Sequence, residues 1–425
     1  MNKLIACLVL FFCTLSVYAQ RIELVFWHGM AGHLGDEVRA LADDFNQSQS
    51  KFLVKPVYKG NYIETLTSFA AAFRAQQPPA IVQIFEVGTA IMSSPKGVIK
   101  PVDELMQEQG LSLPKEDFIA SVREFYSKDG QLQALPFNLS APTLYYNVDM
   151  LAKIGYSSAN FPRTWDEMER LAQKVKKAGY QCTYTTAYPG WVLFESFLAI
   201  HGLPLTQGEP QQAAFDTPQL VRHFSRLKRW HTQQYFRYAG RVDDATVLFT
   251  SGTCPLFSQS SGAYNSLAAL VPFRLGVASM PLDTQISKVR HANVAGGAAL
   301  WAVAGQTTEH YQGIAQFFSF IAQPKTQQRW HEHTGYLPLG LQGGYADILQ
   351  TSQHPNLVLA QSDLKMNVHD KPLRYEGPQN QIRSINDEFL EAMFAGLISP
   401  AKALHEASAR TNHVLLRFAR NTKGE

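Results

Sequence analysis

The sequence predicts an α/β protein of two lobes, each a mostly parallel sheet flanked by helices. Apolar runs of strand length alternate with segments of helical periodicity after residue 20, and the same alternation begins again near Leu144. The chain of 425 residues is long enough for two or three domains of about 150 residues each. We found no internal repeat of roughly 20 to 50 residues, so a solenoid is not expected.

The first unit alternates strand, helix, strand, helix, strand. Residues 22–27 form an apolar run that predicts a buried strand. A helix should follow, because apolar side chains recur at helical spacing over residues 38–45. Residues 52–58 and 80–85 predict further strands, and the apolar periodicity of residues 66–73 predicts a helix between them.

The second unit repeats this pattern with clearer helix signals. Thr164 and Glu167 have the spacing of a capping box, which predicts that a helix begins there. Residues 182–186 predict a strand after it. Helices are also expected over residues 311–321 and from Ser399-Pro400 onward, since proline is favoured in the first turn of a helix.

The first nineteen residues have the pattern of a secretory signal peptide. Lys3 supplies the positive start, residues 5–17 are apolar, and Val17-Tyr18-Ala19 offers small residues to signal peptidase. A membrane span needs about 20 apolar residues, and this run is shorter. We therefore expect cleavage after Ala19, which would leave 406 of the 425 residues.

Composition and charge exclude several classes of protein. Hydrophobic residues make up 45% and charged residues 17% of the chain, so a folded globular protein is expected rather than a disordered one. There are 38 basic and 35 acidic side chains, and no block of five or six like charges. Neither nucleic acid nor an anionic membrane is therefore expected as the main partner.

Cleavage would leave two cysteines, Cys182 and Cys254, in an oxidising compartment. Either one disulfide or two separate buried thiols fits the sequence, which does not give the distance between their Cα atoms. Two lone cysteines this far apart lack the spacing of a structural zinc site.

Common enzymatic motifs are absent from the sequence. It contains no G-x-S-x-G elbow, no phosphate-binding G-x-x-x-x-G-K-[ST] loop and no H-E-x-x-H helix. His331-Glu332-His333 is a dense cluster of metal-ligand types, but residues two apart on a helix point in different directions, so a solvated helix end is favoured over a metal site. Glu86, after a predicted strand, has the chemistry of a general acid or base, or of an acceptor for ligand hydroxyls.

Several segments together resemble the periplasmic substrate-binding subunits of bacterial ABC importers, and within them the glycerol-3-phosphate-binding branch. The segments that carry the resemblance are Phe26-Trp27-His28, Tyr58-Lys59-Gly60-Asn61-Tyr62, Glu86-Val87-Gly88-Thr89-Ala90, Pro136-Phe137-Asn138, Leu144-Tyr145-Tyr146-Asn147, Ser260-Ser261-Gly262, Gly296-Gly297-Ala298, Thr334-Gly335-Tyr336-Leu337-Pro338 and Gln381-Ile382-Arg383. They span nearly all of the chain after Ala19.

The resemblance implies a type II periplasmic binding protein, in which hinge strands join two lobes that close over the ligand. After the signal peptide, residues 1–19, the N-terminal lobe would comprise residues 20–141 and 278–331. Residues 142–277 and 332–425 would form the C-terminal lobe.

The resemblance also implies a protein that is not an enzyme and needs no cofactor or metal. Such a protein is periplasmic, binds a small molecule and delivers it to the membrane permease of an ABC importer, and we expect a monomer. In this fold the strands that carry Cys182 and Cys254 would be neighbours, which favours the disulfide.

A phosphomonoester needs a fixed cation and neutral donors, with no adjacent carboxylate. Arg383 is the cation that the resemblance implies, because a guanidinium binds two phosphate oxygens at once. The alternative is a surface ion pair with Asp387 or Glu388, one turn away on a helix. By resemblance, neutral donors would complete the set, namely Ser140, Ser260, Tyr336 and the backbone N–H of Gly297.

The glycerol end of the ligand needs an acceptor and an apolar wall. Glu86 matches the carboxylate of the family, and an ionised carboxylate accepts from two hydroxyls at once. Tyr62 would donate through its hydroxyl. Trp191 matches an aromatic residue that covers the ligand, and Tyr188 stands where relatives have a second tryptophan, so it is a possible second wall.

The favoured function is therefore that of a periplasmic receptor for sn-glycerol-3-phosphate. A protein of the same fold that binds glycerophosphodiesters such as glycerophosphocholine, or a sugar, is the alternative. A secreted phosphodiesterase is less favoured, because it would need a metal cluster or an activated nucleophile.

Overall fold

The computed structural model describes residues 21–352, 354–365, 375 and 377–423. The expected signal peptide lies outside these residues. None of the helices in the described ranges is both long and apolar enough to cross a membrane.

The strands are numbered here in chain order. They are β1 (Ile22–His28), β2 (Phe52–Tyr58), β3 (Ile81–Phe85), β4 (Ile99–Lys100), β5 (Ser127–Lys128), β6 (Gln131–Leu132), β7 (Leu135–Pro136), β8 (Pro142–Asn147), β9 (Tyr184–Thr186), β10 (Thr206–Gln207), β11 (Gln212–Ala213), β12 (Phe236–Arg237), β13 (Leu256–Ser260), β14 (Leu275–Ser279) and β15 (Ala298–Val303).

The α-helices are numbered in the same way, and a π-helix over Gly190–Glu195 leads into the eighth. They are α1 (Gly32–Ser48), α2 (Tyr62–Arg74), α3 (Thr89–Ser93), α4 (Val102–Glu108), α5 (Ala120–Phe125), α6 (Val148–Lys153), α7 (Trp165–Lys177), α8 (Ser196–Ile200), α9 (Pro218–Thr232), α10 (Thr246–Thr250), α11 (Tyr264–Leu270), α12 (Thr308–Ile321), α13 (Pro324–Thr334), α14 (Ala346–Thr351), α15 (Pro355–Asp363), α16 (Gln379–Phe394) and α17 (Pro400–Lys423).

Most of the longer strands fall into two sheets. The first has the order β2-β1-β3-β15-β4, with β7 also paired to β15, and the second has the order β12-β9-β13-β8-β14. β1 runs parallel to β2 and β3, and β9 runs parallel to β12 and β13. β15 and β8 run antiparallel to all of their neighbours. Both sheets are therefore mixed rather than mostly parallel, because each receives one strand that arrives from the other sheet.

The elements predicted for both units are confirmed, with small differences at their ends. β1, β2 and β3 cover the predicted strands, and α1 and α2 cover the helices between them. The capping box at α7 is present, since the Thr164 side chain accepts from the backbone N–H of Glu167 and the Glu167 carboxylate accepts from that of Thr164. One buried apolar core extends through both sheets and their helices, and a smaller one lies between β8, β13, α10 and α11.

Three connecting segments lie side by side between the sheets. The chain passes from β7 to β8 through residues 137–141, returns from β14 to β15 through residues 280–297, and leaves α13 through residues 335–342. Ser140 and Gly296 exchange two backbone hydrogen bonds, of 3.1 and 2.8 Å, and Leu337 N–H donates to the carbonyl of Leu139 at 2.8 Å. These contacts give the connections a common path, as hinge strands require.

The predicted lobe boundaries remain a prediction. The boundary before residue 142 coincides with the start of β8, whereas the one after residue 277 divides β14, whose five residues all pair with β8.

A disulfide joins Cys182 and Cys254, whose Cα atoms are 4.8 Å apart. The two residues precede β9 and β13, which are adjacent parallel strands of the second sheet. Both side chains are buried, and 72 positions of sequence separate them. The bond therefore closes a long loop and restricts the unfolded chain.

Replacing both cysteines with alanine should lower the free energy of unfolding by about 2 to 4 kcal/mol, because the unfolded chain regains that loop entropy. Denaturant unfolding of the oxidised wild type, the reduced wild type and the double variant measures the effect. The reductant should leave the double variant unchanged. Equal stability of the oxidised wild type and the double variant would contradict a stabilising bridge.

Candidate ligand-binding site

The eight residues predicted to bind ligand lie on different elements, yet the structure brings them into one continuous set of contacts. They are Tyr62 at the start of α2, Glu86 after β3, Ser140 and Gly297 in the connecting segments, Trp191 in the π-helix, Ser260 at the end of β13, Tyr336 after α13 and Arg383 in α16. Their role towards a ligand remains a prediction.

Neighbouring residues in the sequence determine where Tyr62 and Glu86 lie. The side chain of Asn61 accepts from the backbone N–H groups of Ile63 and Glu64, which starts α2 at Tyr62. The Tyr62 ring then stacks on Phe85, with ring centroids 5.5 Å apart. Glu86 is the next residue, and its backbone N–H donates to the carbonyl of Gly297 at 3.0 Å.

Asn138 connects two of the predicted tyrosines. Its side-chain N–H donates to the Tyr62 hydroxyl at 2.8 Å, and its side-chain oxygen accepts from Gln83 at 2.8 Å. The Tyr336 hydroxyl is close enough to Asn138 and Tyr62 for both to influence its pKa. Burial raises the pKa of both tyrosines, so they remain neutral and able to donate.

Gly297 is required by the backbone itself. Its φ of +96° is strained for any residue with a Cβ atom, and a Cβ would lie 1.8 Å from the carbonyl oxygen of Asn138. The glycine therefore lets two connecting segments pack closely. The predicted approach of its N–H to a ligand remains a prediction.

Two more glycines, Gly296 in a connecting segment and Gly262 in the turn after β13, let aromatic rings pack directly on backbone. A Cβ on Gly296 would lie 2.2 Å from the Trp191 ring, and one on Gly262 would lie 2.6 Å from the Tyr336 ring. Gly262 N–H also donates to the Ser260 hydroxyl at 3.2 Å. The rings of Trp191 and Tyr336 thus lie directly on backbone, next to the predicted serine donors.

Trp191 and Tyr188 are held by an unusual turn. Tyr188 has a φ of +45°, which is costly for a residue other than glycine and is often found at binding sites. Its carbonyl accepts from the N–H groups of Trp191 and Val192, which begins the π-helix. Gly190 N–H donates to Asp387 at 2.8 Å. Burial raises the pKa of Asp387 to about 7.

Arg383 is bound by two buried carboxylates. Its Nη1 donates to Glu86 at 2.6 Å, and its Nε and Nη2 donate to the two oxygens of Glu195 at 2.8 and 2.6 Å. Only 17% of the Arg383 side chain is exposed. Burial alone would lower the pKa of Arg383, but Glu195 and Glu86 raise it well above its ordinary value. Burial, together with the neighbouring charge of Glu195, raises the pKa of Glu86 even though Arg383 acts in the opposite direction.

The surroundings of Arg383 differ from both arrangements considered from the sequence. Arg383 does not form a surface ion pair with Asp387 or Glu388, because its donors turn inward and Glu388 bonds to Arg410 at 2.7 Å instead. Nor is its surrounding free of carboxylates. The predicted phosphate anchor, Arg383, and the predicted hydroxyl acceptor, Glu86, are direct partners in this structure, and their roles towards a ligand remain predictions.

Sequence reasoning missed Glu195, Asn138, Tyr375 and Gln379. Glu195 accepts from the Tyr375 hydroxyl and from Gln379 at 2.8 Å, in addition to Arg383. The available signal was the single carboxylate within the apolar run 191–200. A charged residue in a buried apolar run needs a partner of opposite charge inside the protein, because burying an unpaired charge is costly.

The cluster His331-Glu332-His333 is solvated at the end of α13 as predicted for Glu332 and His333, but not for His331. His331 is buried, and its ring nitrogens bond to the carbonyl of Tyr336 at 2.7 Å and the hydroxyl of Ser352 at 2.8 Å. His333 is exposed and faces Glu37. Across the described ranges, no group of three or more histidine, cysteine or acidic side chains has the arrangement of a metal site.

Comparison with known proteins identifies the family. A model of bacterial extracellular solute-binding proteins matches residues 40–342. The chain is 36% identical over 418 residues to the sn-glycerol-3-phosphate-binding periplasmic protein UgpB of Salmonella paratyphi A, covering 94% of this chain and 93% of that protein. It is also 36% identical over 419 residues to UgpB of Escherichia coli strain K12, covering 95% of each.

Solved structures of the same architecture agree with the two-sheet arrangement. UgpB from Mycobacterium tuberculosis in complex with glycerophosphocholine has a TM-score of 0.77 at 19% identity, covering 94% of this chain and 99% of that one. The cyclic alpha-maltosyl-1,6-maltose binding protein of Arthrobacter globiformis has a TM-score of 0.75 at 20% identity, covering 93% and 99%. The fold is that of a two-lobed type II binding protein, and the chain belongs to the family of bacterial extracellular solute-binding proteins.

Proposed function

We propose that this protein binds the sn-glycerol 3-phosphate group in the space between its two lobes and delivers it to an ABC importer. One observation carries the proposal. The neutral donors around Asn138 and the connecting segments are continuous with a carboxylate and guanidinium pair, Glu86 and Arg383, and with the ring of Trp191. The names of the relatives that share 36% identity support the same ligand.

The pair of Glu86 and Arg383 suits the hydroxyl end of this ligand. A hydroxyl donates to a carboxylate and accepts from a guanidinium, so one diol satisfies both partners at once. A phosphate dianion next to Glu86 and Glu195 would be repelled by two carboxylates and attracted by one guanidinium. Arg383 is therefore assigned to the hydroxyls and not, as first expected, to the phosphate.

The phosphate end is then assigned to neutral donors. Ser140, Ser260, Tyr336 and the backbone N–H of Gly297 are uncharged groups that donate hydrogen bonds to phosphate oxygens. Trp191, and Tyr188 beside it, supply apolar faces for the carbon chain of the ligand. Tyr62 lies between the two ends, since it contacts Asn138 and is close to Glu86.

Glu86 and Arg383 also connect the two lobes. Glu86 follows β3 of the first sheet, whereas α16, which carries Arg383, packs on α9, and α9 packs on β12 of the second sheet. A ligand held by both residues would favour the closed arrangement of the lobes, because it interacts with each of them.

The same proposal covers the biological setting. The protein acts in the periplasm after removal of residues 1–19, as a monomer that is not an enzyme and uses no cofactor. Its partner is the permease of an importer. Glycerophosphodiesters are a second ligand class, favoured by the similarity to the glycerophosphocholine complex, which shares the fold.

Titration calorimetry with sn-glycerol-3-phosphate, glycerophosphocholine and maltose tests the ligand class. We expect heat of binding with one or both glycerol phosphates and none with maltose, because the predicted site residues include one tryptophan, Trp191, rather than a pair on which a sugar ring would stack. Binding of maltose alone would overturn the proposal.

Glu86→Gln should lower the affinity for sn-glycerol-3-phosphate by about 10- to 100-fold, since hydrogen bonds to a charged group contribute about 1.5 to 3 kcal/mol. The loss should be smaller for 3-hydroxypropyl phosphate, which keeps the phosphate and lacks the middle hydroxyl. Calorimetry on both ligands measures the difference. Glu388→Gln is the matched control, because this glutamate lies on the outer face of α16 and pairs with Arg410. Equal losses for the two ligands would place Glu86 away from the hydroxyl.

A further inference from the structure

Glu195 is a buried carboxylate behind the proposed site. It is the last residue of the π-helix and has no exposed surface. Its two oxygens accept from the Tyr375 hydroxyl, from Gln379 at 2.8 Å, and from Nε and Nη2 of Arg383 at 2.8 and 2.6 Å. The carboxylate thus has several donors that hold it in one orientation.

This arrangement determines where the guanidinium of Arg383 points. A bidentate contact with a carboxylate fixes the guanidinium in a common plane, which a single hydrogen bond does not do. Because Nε and Nη2 face Glu195, Nη1 is the nitrogen directed at Glu86, 2.6 Å away. Glu195 therefore acts on the side of Arg383 opposite to the proposed ligand.

Stability alone gives little reason for a carboxylate in this position. Replacing a buried ion pair with apolar side chains of similar size is often neutral or stabilising. The flanking residues of the π-helix are apolar and buried, as Val192, Leu193 and Phe194 are. A charged residue among them is better explained by what it does to Arg383.

We propose that Glu195 is a positioning residue for ligand recognition, which holds Arg383 so that its Nη1 meets Glu86 and a ligand hydroxyl. This inference rests on the proposed function, because it takes the hydroxyl end of the ligand to lie at that pair. Glu195 itself does not touch the ligand.

The test measures the dissociation constant of sn-glycerol-3-phosphate, or of glycerophosphocholine if only that compound binds, for a set of variants. Glu195→Gln keeps the shape of the side chain and removes its charge and one acceptor, and we expect a loss of affinity of about 10-fold or more. Glu195→Asp keeps the charge but withdraws the carboxylate by one methylene. This variant should also weaken binding, because the shortened side chain no longer holds Arg383 in the same place.

Asp283→Asn is the matched control. Asp283 is a buried carboxylate near the start of the connecting segment 280–297, and it bonds to two arginines of α9, Arg222 at 2.9 Å and Arg226 at 3.0 Å, rather than to a proposed ligand residue. Its replacement should lower the melting temperature as a broken buried pair does, and change the affinity less than twofold. A comparable loss of affinity in both variants would mean that the effect is general destabilisation.

A double-variant cycle separates positioning from a structural role. In the Arg383→Met background Glu195→Gln should cause no further loss of affinity, because the side chain through which it acts is gone. If Glu195→Gln weakens binding equally in both backgrounds, or leaves the wild-type affinity unchanged, the inference is overturned.

A second readout does not depend on the ligand. Exchange of the Arg383 Nε–H proton with water, followed by ¹⁵N NMR, should be slow in the wild type and in Asp283→Asn, and faster in Glu195→Gln and Glu195→Asp. Equal exchange in all four proteins would overturn the positioning role. Slow exchange in a wild type that binds neither phosphate compound would refute the proposed function, and would leave the geometry of Arg383 supported.

Discussion

The site depends on one guanidinium shared by two carboxylates. Arg383 bonds to Glu195, which comes from its own side of the molecule, and to Glu86, which follows a strand of the other sheet. Burying three charged groups is costly unless each is paired, and here the single cation bonds to both anions while Tyr375 and Gln379 supply further donors to Glu195. That requirement holds Glu86, which follows β3, against Arg383 of α16, and it is the basis for proposing that the hydroxyl end of a ligand binds there.

Glycines in a connecting segment and in the turn after β13 supply the second requirement, which is close approach of backbone to its neighbours. Gly296, Gly297 and Gly262 lie where a Cβ would collide with a ring or with another backbone segment. Their small size lets the aromatic rings and serine hydroxyls approach the same region. The protein groups proposed to bind ligand are therefore positioned by crossing backbone segments rather than by surface loops. Their geometry is set by the fold.

Much of the fold could be predicted because its signals are local. The capping box of Thr164 and the apolar run before Glu86 depend on neighbouring residues, and the structure contains both elements. The antiparallel insertion of β8 and β15 could not be predicted from alternation, because it follows from where the chain enters each sheet. The candidate site residues were predicted from a family resemblance and not from local patterns, and the structure brings them together. The pairing of Arg383 with Glu86 depends on residues 297 positions apart and has no local pattern.

A crystal structure of the complex with sn-glycerol-3-phosphate tests the central claim most directly. We expect a ligand hydroxyl within about 3 Å of both the Glu86 carboxylate and Nη1 of Arg383, and the phosphate among the neutral donors of Ser140, Ser260, Gly297 and Tyr336. A phosphate bound directly to Arg383, with the hydroxyls directed away from Glu86, would contradict this account.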